Sequence, residues 1–454
     1  MKLPVSPPPL STLFIREFAS ESGAARLAAL AAHSLGPAPA GKYRHWDTFR
    51  HAAPLAEYSA EAQWMMVKIA RRALYRPLPL NDTGGTPFQI ALPNPALSYL
   101  HRIDRFASGS IQGPEQVTDP STRDTYLFKS LVEEAITSSQ LEGASTTRRV
   151  AKAMIQEGRD PRDRSEKMIL NNYLAMRFLL EKKDEPLTPA LILELQARLT
   201  DGTLDEPDAV GRLRRADDEI VVEDDTGRIL HTPPDAAELP ERLERLCAFA
   251  NAVDDAEFLP PAVRAIVLHF WLAYDHPFVD GNGRTARALF YWAMARYGYW
   301  LCEFVSISRI LKKARGQYLR SFLYTESDEN DATYFVLYQL RVLCRAIDDL
   351  HAFLADRSRK MRETELLVLA ARSVRQELNV RQLALIRHAL HTSNARYTVE
   401  SHRISHGVTY ETARTDLLKL AQMKLLSQGK SGRLLVYRPA QNLRSRLSAV
   451  GALA

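Results

Sequence analysis

The chain has 454 residues, 46% apolar, 25% charged and 8% aromatic, with a formal charge of +6, a balance that excludes disordered, fibrous and collagen-like chains. Three scattered cysteines, Cys247, Cys302 and Cys344, exclude a disulfide scaffold and fit a reducing compartment. The start, MKLPVSPPPL, has prolines where a secretory leader needs an apolar helix, and no apolar run nears the roughly 18 residues that span a bilayer. A cytoplasmic protein without membrane segments is expected.

Residues 1–107 read as a small amino-terminal helical module. A poorly ordered proline-rich start precedes a short Ala/Leu-rich helix at 24–32, then helical spacing through Trp46, Phe49 and Trp64, broken by a loop at 81–85. The Gly, Ser, Pro and Asp-rich stretch 108–125 marks a boundary. From 126 to 347, apolar residues recur every three or four positions at 126–141, 167–180, 190–199, 239–250, 262–274 and 284–297, which predicts a mainly α bundle. Within it, the β-prone runs Ile220, Val221, Val222 and Leu230, His231, Thr232 flank a Gly227-containing turn and predict a hairpin over 219–232.

After a further helix to about 377, residues 371–445 hold thirteen Lys or Arg against four Asp or Glu, leaving the rest of the chain slightly acidic. Helices are expected at 381–390, 399–405 and 409–423, with Gly407 in the turn between the last two and a hairpin around Gly429 and Gly432. That order is the order of a winged helix-turn-helix. Its basic charge fits DNA, while the same architecture also serves as a protein-docking or dimer module.

The chemistry concentrates at His276-Pro-Phe-Val-Asp280-Gly281-Asn282-Gly283-Arg284-Thr-Ala-Arg287, a loop running into a helix start. Glycines beside Asn282 permit a tight turn and close approach of a ligand, and the first amides of the helix make an anion site. Arg284 and Arg287, three apart, project from one face and suit phosphate oxygens. Asp280 is a hard oxygen ligand for Mg²⁺, and His276 supplies a base that titrates near neutrality. A zinc site on His269 and His276 lacks a third ligand nearby.

Together these residues match HxFx(D/E)GNGRxxR, and the chain resembles the Fic family over about 126–347. The resemblance implies transfer of AMP from ATP, with Mg²⁺, to a side-chain hydroxyl of a protein. It gives His276 the deprotonation of the target, Asp280 the metal, Asn282 and the amides of Gly281 and Gly283 the phosphates, and Arg284 and Arg287 the β- and γ-phosphates. Tyr318 then lines the adenine pocket, and the 219–232 hairpin clamps an extended target strand. Gly211-Arg-Leu-Arg214 is also similar to the family, without an assigned role.

The run 126–141 reads as a helix stopped by Gly143, which leaves the Glu142 carboxylate against the helix dipole and in need of a cation. Ser138 shares its face and is expected to hydrogen-bond that carboxylate. Ser138 to Gly143 resembles the family's inhibitory motif, (S/T)xxxE(G/N), in the class with the inhibitory helix, 126–143, ahead of the core. The resemblance implies that Glu142 pairs with Arg287 and misaligns ATP. Three readings remain: an auto-inhibited adenylyltransferase, self-modification included; a hydrolase that removes AMP with Glu142 positioning water; and a nucleotide-sensing DNA-binding regulator. A homodimer is compatible with all of them.

Overall fold

The computed structural model describes residues 2–18, 23–108, 120–224, 226–252, 258–370, 378–392, 395–431, 434–443 and 445–447. Contacts divide the chain into two units, Met1–Leu350 and His351–Ala454. The described residues are mainly α-helical with three short two-stranded sheets. Among them no helix is long and apolar enough to cross a membrane.

The first unit is built on two consecutive helices, Pro261–Asp275 and Asn282–Arg296, joined by the loop that carries the motif. Both are buried almost all round: Val263, Ile266, Leu268, Phe270, Trp271 and Leu272 on one, Leu289, Phe290, Trp292 and Met294 on the other. A helix apolar on every face belongs at the centre of a bundle, and each such large side chain contributes about 1.5–3 kcal/mol by leaving water. Helices Pro120–Leu141, Arg164–Glu181, Pro189–Thr200 and Leu239–Asn251 pack around this pair. Asp163 and Thr188 start two of them by accepting from the backbone amides of Glu166 and Leu191.

The amino-terminal segment differs from expectation in two ways. A helix, Leu10–Phe18, begins within the start expected to be poorly ordered, ahead of the expected short helix, here Gly23–Ala32, and Leu13 and Leu30 are buried against Trp46, Phe49 and Trp64. The stretch around 81–85 is the turn of an antiparallel hairpin, Arg76–Asn81 with Pro87–Ile90, because Asp82 Oδ1 accepts from the amides of Gly84 and Thr86. Moreover, 1–107 belongs to the same unit as the bundle rather than standing as a module, and the expected boundary at 108–125 falls inside that unit, largely outside the described residues. Lys68 and Arg71 are buried. Lys68 Nζ lies 2.7 Å from Asp328, and Arg71 donates to the Tyr334 hydroxyl at 2.6 Å. The Gln89 amide donates to Asn330 O, and Gln89 O accepts from the Ala332 amide.

The expected hairpin over 219–232 is present as Val222–Glu223 paired with Ile229–His231. Asp224 shapes its turn by accepting from the amides of Thr226 and Arg228.

In the second unit, helices Val380–His391, Val399–His406 and Tyr410–Gln422 precede an antiparallel hairpin, Leu426–Ser431 with Leu434–Pro439. Gly407 caps the middle helix at φ +61°, the left-handed conformation the tight turn demands. Leu385, Ile386, Leu417, Leu420 and Tyr437 form the core. Residues 371–377, Gly432 and Arg433 lie outside the described residues.

Candidate active site

The motif loop follows from its ends. Helix Pro261–Asp275 stops because His276 takes the left-handed conformation, φ 45° and ψ 57°, while its amide still donates to Leu272 O. Held there, a non-glycine residue is strained, a condition that marks functional positions. Gly281, at φ +86°, starts the next helix, and a Cβ on it would lie 2.9 Å from Thr200. Gly283 is required for another reason: a Cβ there would lie 2.1 Å from Glu142 Oε1. The glutamate therefore rests directly on the helix start, whose first amides have no partner within the helix.

Phe278 anchors the loop, fully buried. Asn282 departs from its expected role. Its Oδ1 accepts from the Phe278 amide and its Nδ2 donates to Phe278 O, so this buried side chain closes the loop and is not available to phosphate. From behind, Gln196 Nε2 donates to Asp280 O and its Oε1 accepts from the Gly211 amide. Arg214 Nε donates to His276 O at 2.9 Å, its Nη2 donates to Pro234 O, and its amide donates to Pro277 O. Gly211 and Arg214 are thus supports of the loop, a role the sequence alone did not disclose.

His276 Nδ1 lies 3.2 Å from Ala273 O, which puts the proton on Nδ1 and leaves the Nε2 lone pair free. Burial pushes its imidazole down to about 4, so it is a neutral base. Beside it, burial raises the Asp275 carboxyl to about 6 despite Arg242 at 3.0 Å. His231, on the hairpin, is committed to Glu326 at 2.8 Å and to Tyr274 O, not to an open strand edge.

The two arginines point to different partners. Arg284 is fully buried, donates to Leu199 O and reaches Asp280 Oδ2 at 3.1 Å, and its Nε has no partner among the described residues. Arg287 Nη2 donates to Glu142 Oε1 at 2.8 Å and to Ser138 O, and its Nε donates to Ser138 Oγ. Ser138 accordingly binds the arginine and not the Glu142 carboxylate as expected, because at the helix end its hydroxyl faces the guanidinium. Burial raises the Glu142 carboxyl, yet the charge and hydrogen bond of Arg287 outweigh it and hold it below the usual carboxylate range. Gly143, at φ +95°, ends the segment.

Glu142, Gly283, Arg287, His276, Tyr318, Val221, Val222, Leu230 and His231 converge on one cavity of about 310 Å³. Ile220 and Thr232 do not line it. The Tyr318 hydroxyl bonds His269 Nε2 at 2.8 Å, which occupies His269 within the core and removes it from any zinc site. Among the described residues no cluster of three metal-ligating side chains exists. A Mg²⁺ carried on phosphates needs only one or two protein carboxylates, and the partly exposed Asp280 fits that demand. The helix-start amides at Gly283, which lines the cavity, suit an anion.

Residues 186–294 match the Fic/DOC family, in accord with the motif. The chain is 30% identical over 182 residues to "Protein adenylyltransferase fic-1" of Caenorhabditis elegans, covering 39% of this chain and 33% of that protein. It is 31% identical over 171 residues to "Protein adenylyltransferase Fic" of Nematostella vectensis, covering 36% and 37%. The chain thus spans about a third of the length of these relatives. A Fic family protein from Desulfovibrio desulfuricans G20 has a similar fold, with TM-score 0.50 and 19% identity over 77% of this chain and 96% of that one. The chain carries a Fic/DOC domain on a mainly α, Fic-type bundle.

Proposed function

With the Fic/DOC domain as premise, we propose that the protein is an auto-inhibited adenylyltransferase that moves AMP from ATP to a Ser, Thr or Tyr hydroxyl of a protein, itself included. His276 Nε2 takes the hydroxyl proton as the oxygen attacks the α-phosphorus; the bond to the β-phosphate oxygen breaks and pyrophosphate leaves. Asp280 would hold Mg²⁺, which supplies charge neutralisation on the phosphates. The amides of Gly283 and Arg284 and the Arg284 guanidinium bind phosphate, and the 222–231 hairpin guides the target segment. The observation that carries the reading is the Glu142–Arg287 pair seated on Gly283. It supports assignment to the class with an inhibitory helix before the core, since an Arg287 so engaged cannot also fork onto a γ-phosphate. Incubation with ATP labelled at the α-phosphate tests it: label on protein is expected from the Glu142→Gly variant, and no label on any candidate target or on the chain itself overturns it.

Removal of AMP is the second reading, favoured by the ionised Glu142 carboxylate lying at the same cavity as His276. It expects release of AMP from a modified protein, lost in Glu142→Gly. For the second unit we propose a winged helix, with the exposed Tyr410 and the basic Arg414 and Lys419 of helix Tyr410–Gln422 facing DNA. Three free, buried cysteines support a cytoplasmic setting, and a homodimer remains compatible with this assignment.

A further inference from the structure

A second cavity, about 630 Å³, lies in the first unit away from the motif loop. Helix Arg315–Ser327 separates the two by its faces. Tyr318, Phe322 and Glu326 line the cavity with His276, whereas Gln317, Arg320 and Tyr324 line the other, as spacings of three and four on opposite sides of a helix require. The remaining walls come from residues 40–48, from Pro95 and Tyr99, and from the 334–341 turn of helix Thr333–Ala370.

The wall chemistry is one-sided. Lys42, Arg44, Arg320 and Arg341 all line the cavity, and no Asp or Glu does. His45, pushed by burial down to about 4, is neutral and stacks on Tyr324 at 4.3 Å. The Tyr43 and Tyr334 hydroxyls are already spent on Asp331 and Asp328, each at 2.6 Å. Two other polar atoms, Arg320 Nε and the Tyr338 hydroxyl, are buried without a hydrogen-bond partner among the described residues. Leaving such groups unsatisfied is unfavourable, and a bound partner can offset that cost.

Uncompensated cations call for an anion, and guanidinium groups fork onto phosphate. Tyrosine faces call for a flat ring, and stacking onto such rings is how bases are held. The volume falls within the roughly 300–1,000 Å³ of small-molecule sites and suits one nucleotide, not a strand. We propose that this second cavity binds a nucleoside monophosphate, its base among Tyr99, Tyr324 and Tyr338 and its phosphate on Arg320 and Arg341.

Titration calorimetry of the full chain with AMP, GMP, CMP and UMP tests this, with inorganic phosphate as the ringless arm. Saturable binding of at least one nucleotide is expected, weakened at least tenfold in the Arg320→Gln, Arg341→Gln double variant. Tyr338→Phe keeps the ring and should weaken binding severalfold with an unchanged unfolding midpoint, which separates a lost contact from a lost fold. Binding kept in full by the double variant would place the nucleotide elsewhere and overturn the proposal. So would absence of binding into the millimolar range, or phosphate alone binding as tightly as every nucleotide. None of these outcomes depends on adenylyl transfer, so this site and the proposed reaction stand or fall separately.

Discussion

At the scale of single residues, the cavity with His276 presents a base, an anion seat and a carboxylate lying across that seat. His276→Ala is expected to abolish label transfer while ATP binding, measured by calorimetry, stays largely intact, since the phosphate seat does not use the imidazole. Glu142→Gly is expected to raise transfer by at least tenfold. Arg287→Ala should not imitate it, and the double variant should be as inactive as Arg287→Ala alone, a non-additivity that independent sites would not give. The acid limb of the pH–rate profile follows from the direction of the His276 shift. The neutral imidazole is the active form and its folded value lies below the ordinary one. Transfer by Glu142→Gly should therefore hold level from about pH 8 to about pH 6 with respect to this group and fall only as pH drops toward about 4. A half-maximum near the unperturbed value would contradict the burial argument. The Glu142 carboxyl, held low, stays charged throughout that range, so acid does not release Arg287 until below the ordinary carboxylate range.

At the scale of elements, the motif and its helix start were legible because each rests on a short run of neighbouring residues, whereas the Glu142–Arg287 pair, 145 residues apart, followed only from the family resemblance of the run 138–143. Asn282 and Ser138 were misread at the level of the side chain. Both lie in the right place, but which of two nearby partners a hydroxyl or amide takes is set by tertiary placement that spacing does not encode. Gln196 and Arg214 carried no sequence signal of their role, since a Gln inside an amphipathic helix and an Arg in a loop look like solvated surface. Arg214 fastens the loop from behind by three bonds to His276 O, Pro234 O and Pro277 O. Arg214→Ala should lower kcat by about 10–100-fold with ATP binding little changed, because small displacement of a base is costly. Partial rescue by Arg214→Lys, which restores one donor, would mark the effect as positioning; steady-state kinetics on the Glu142→Gly background reads both.

At the scale of the whole molecule, helical content and the hairpin at 219–232 followed from periodicity, while the union of 1–107 with the bundle did not. Periodicity reports which face of a helix is apolar and says nothing about a Lys and an Arg buried by ion pairing 260 residues away. Lys68→Met should destabilise the first unit by about 3–5 kcal/mol, read by denaturant unfolding, because it strands the fully buried Asp328 beside Arg71. For the basic second unit, DNA affinity should fall steeply with salt and weaken in Arg414→Ala; no binding at low salt would leave protein docking as its role. The buried cluster of Lys68, Arg71, Asp328 and Asp331 also bears on heredity. A gene segment that starts after residue 107 and runs past Asp331 would inherit Asp328 and Asp331 without Lys68, Arg71, Tyr43 and Tyr75, which bind them. A bundle cut in that way is therefore not a cassette that recombination can lift out intact, because its acidic pair would be left buried without cations.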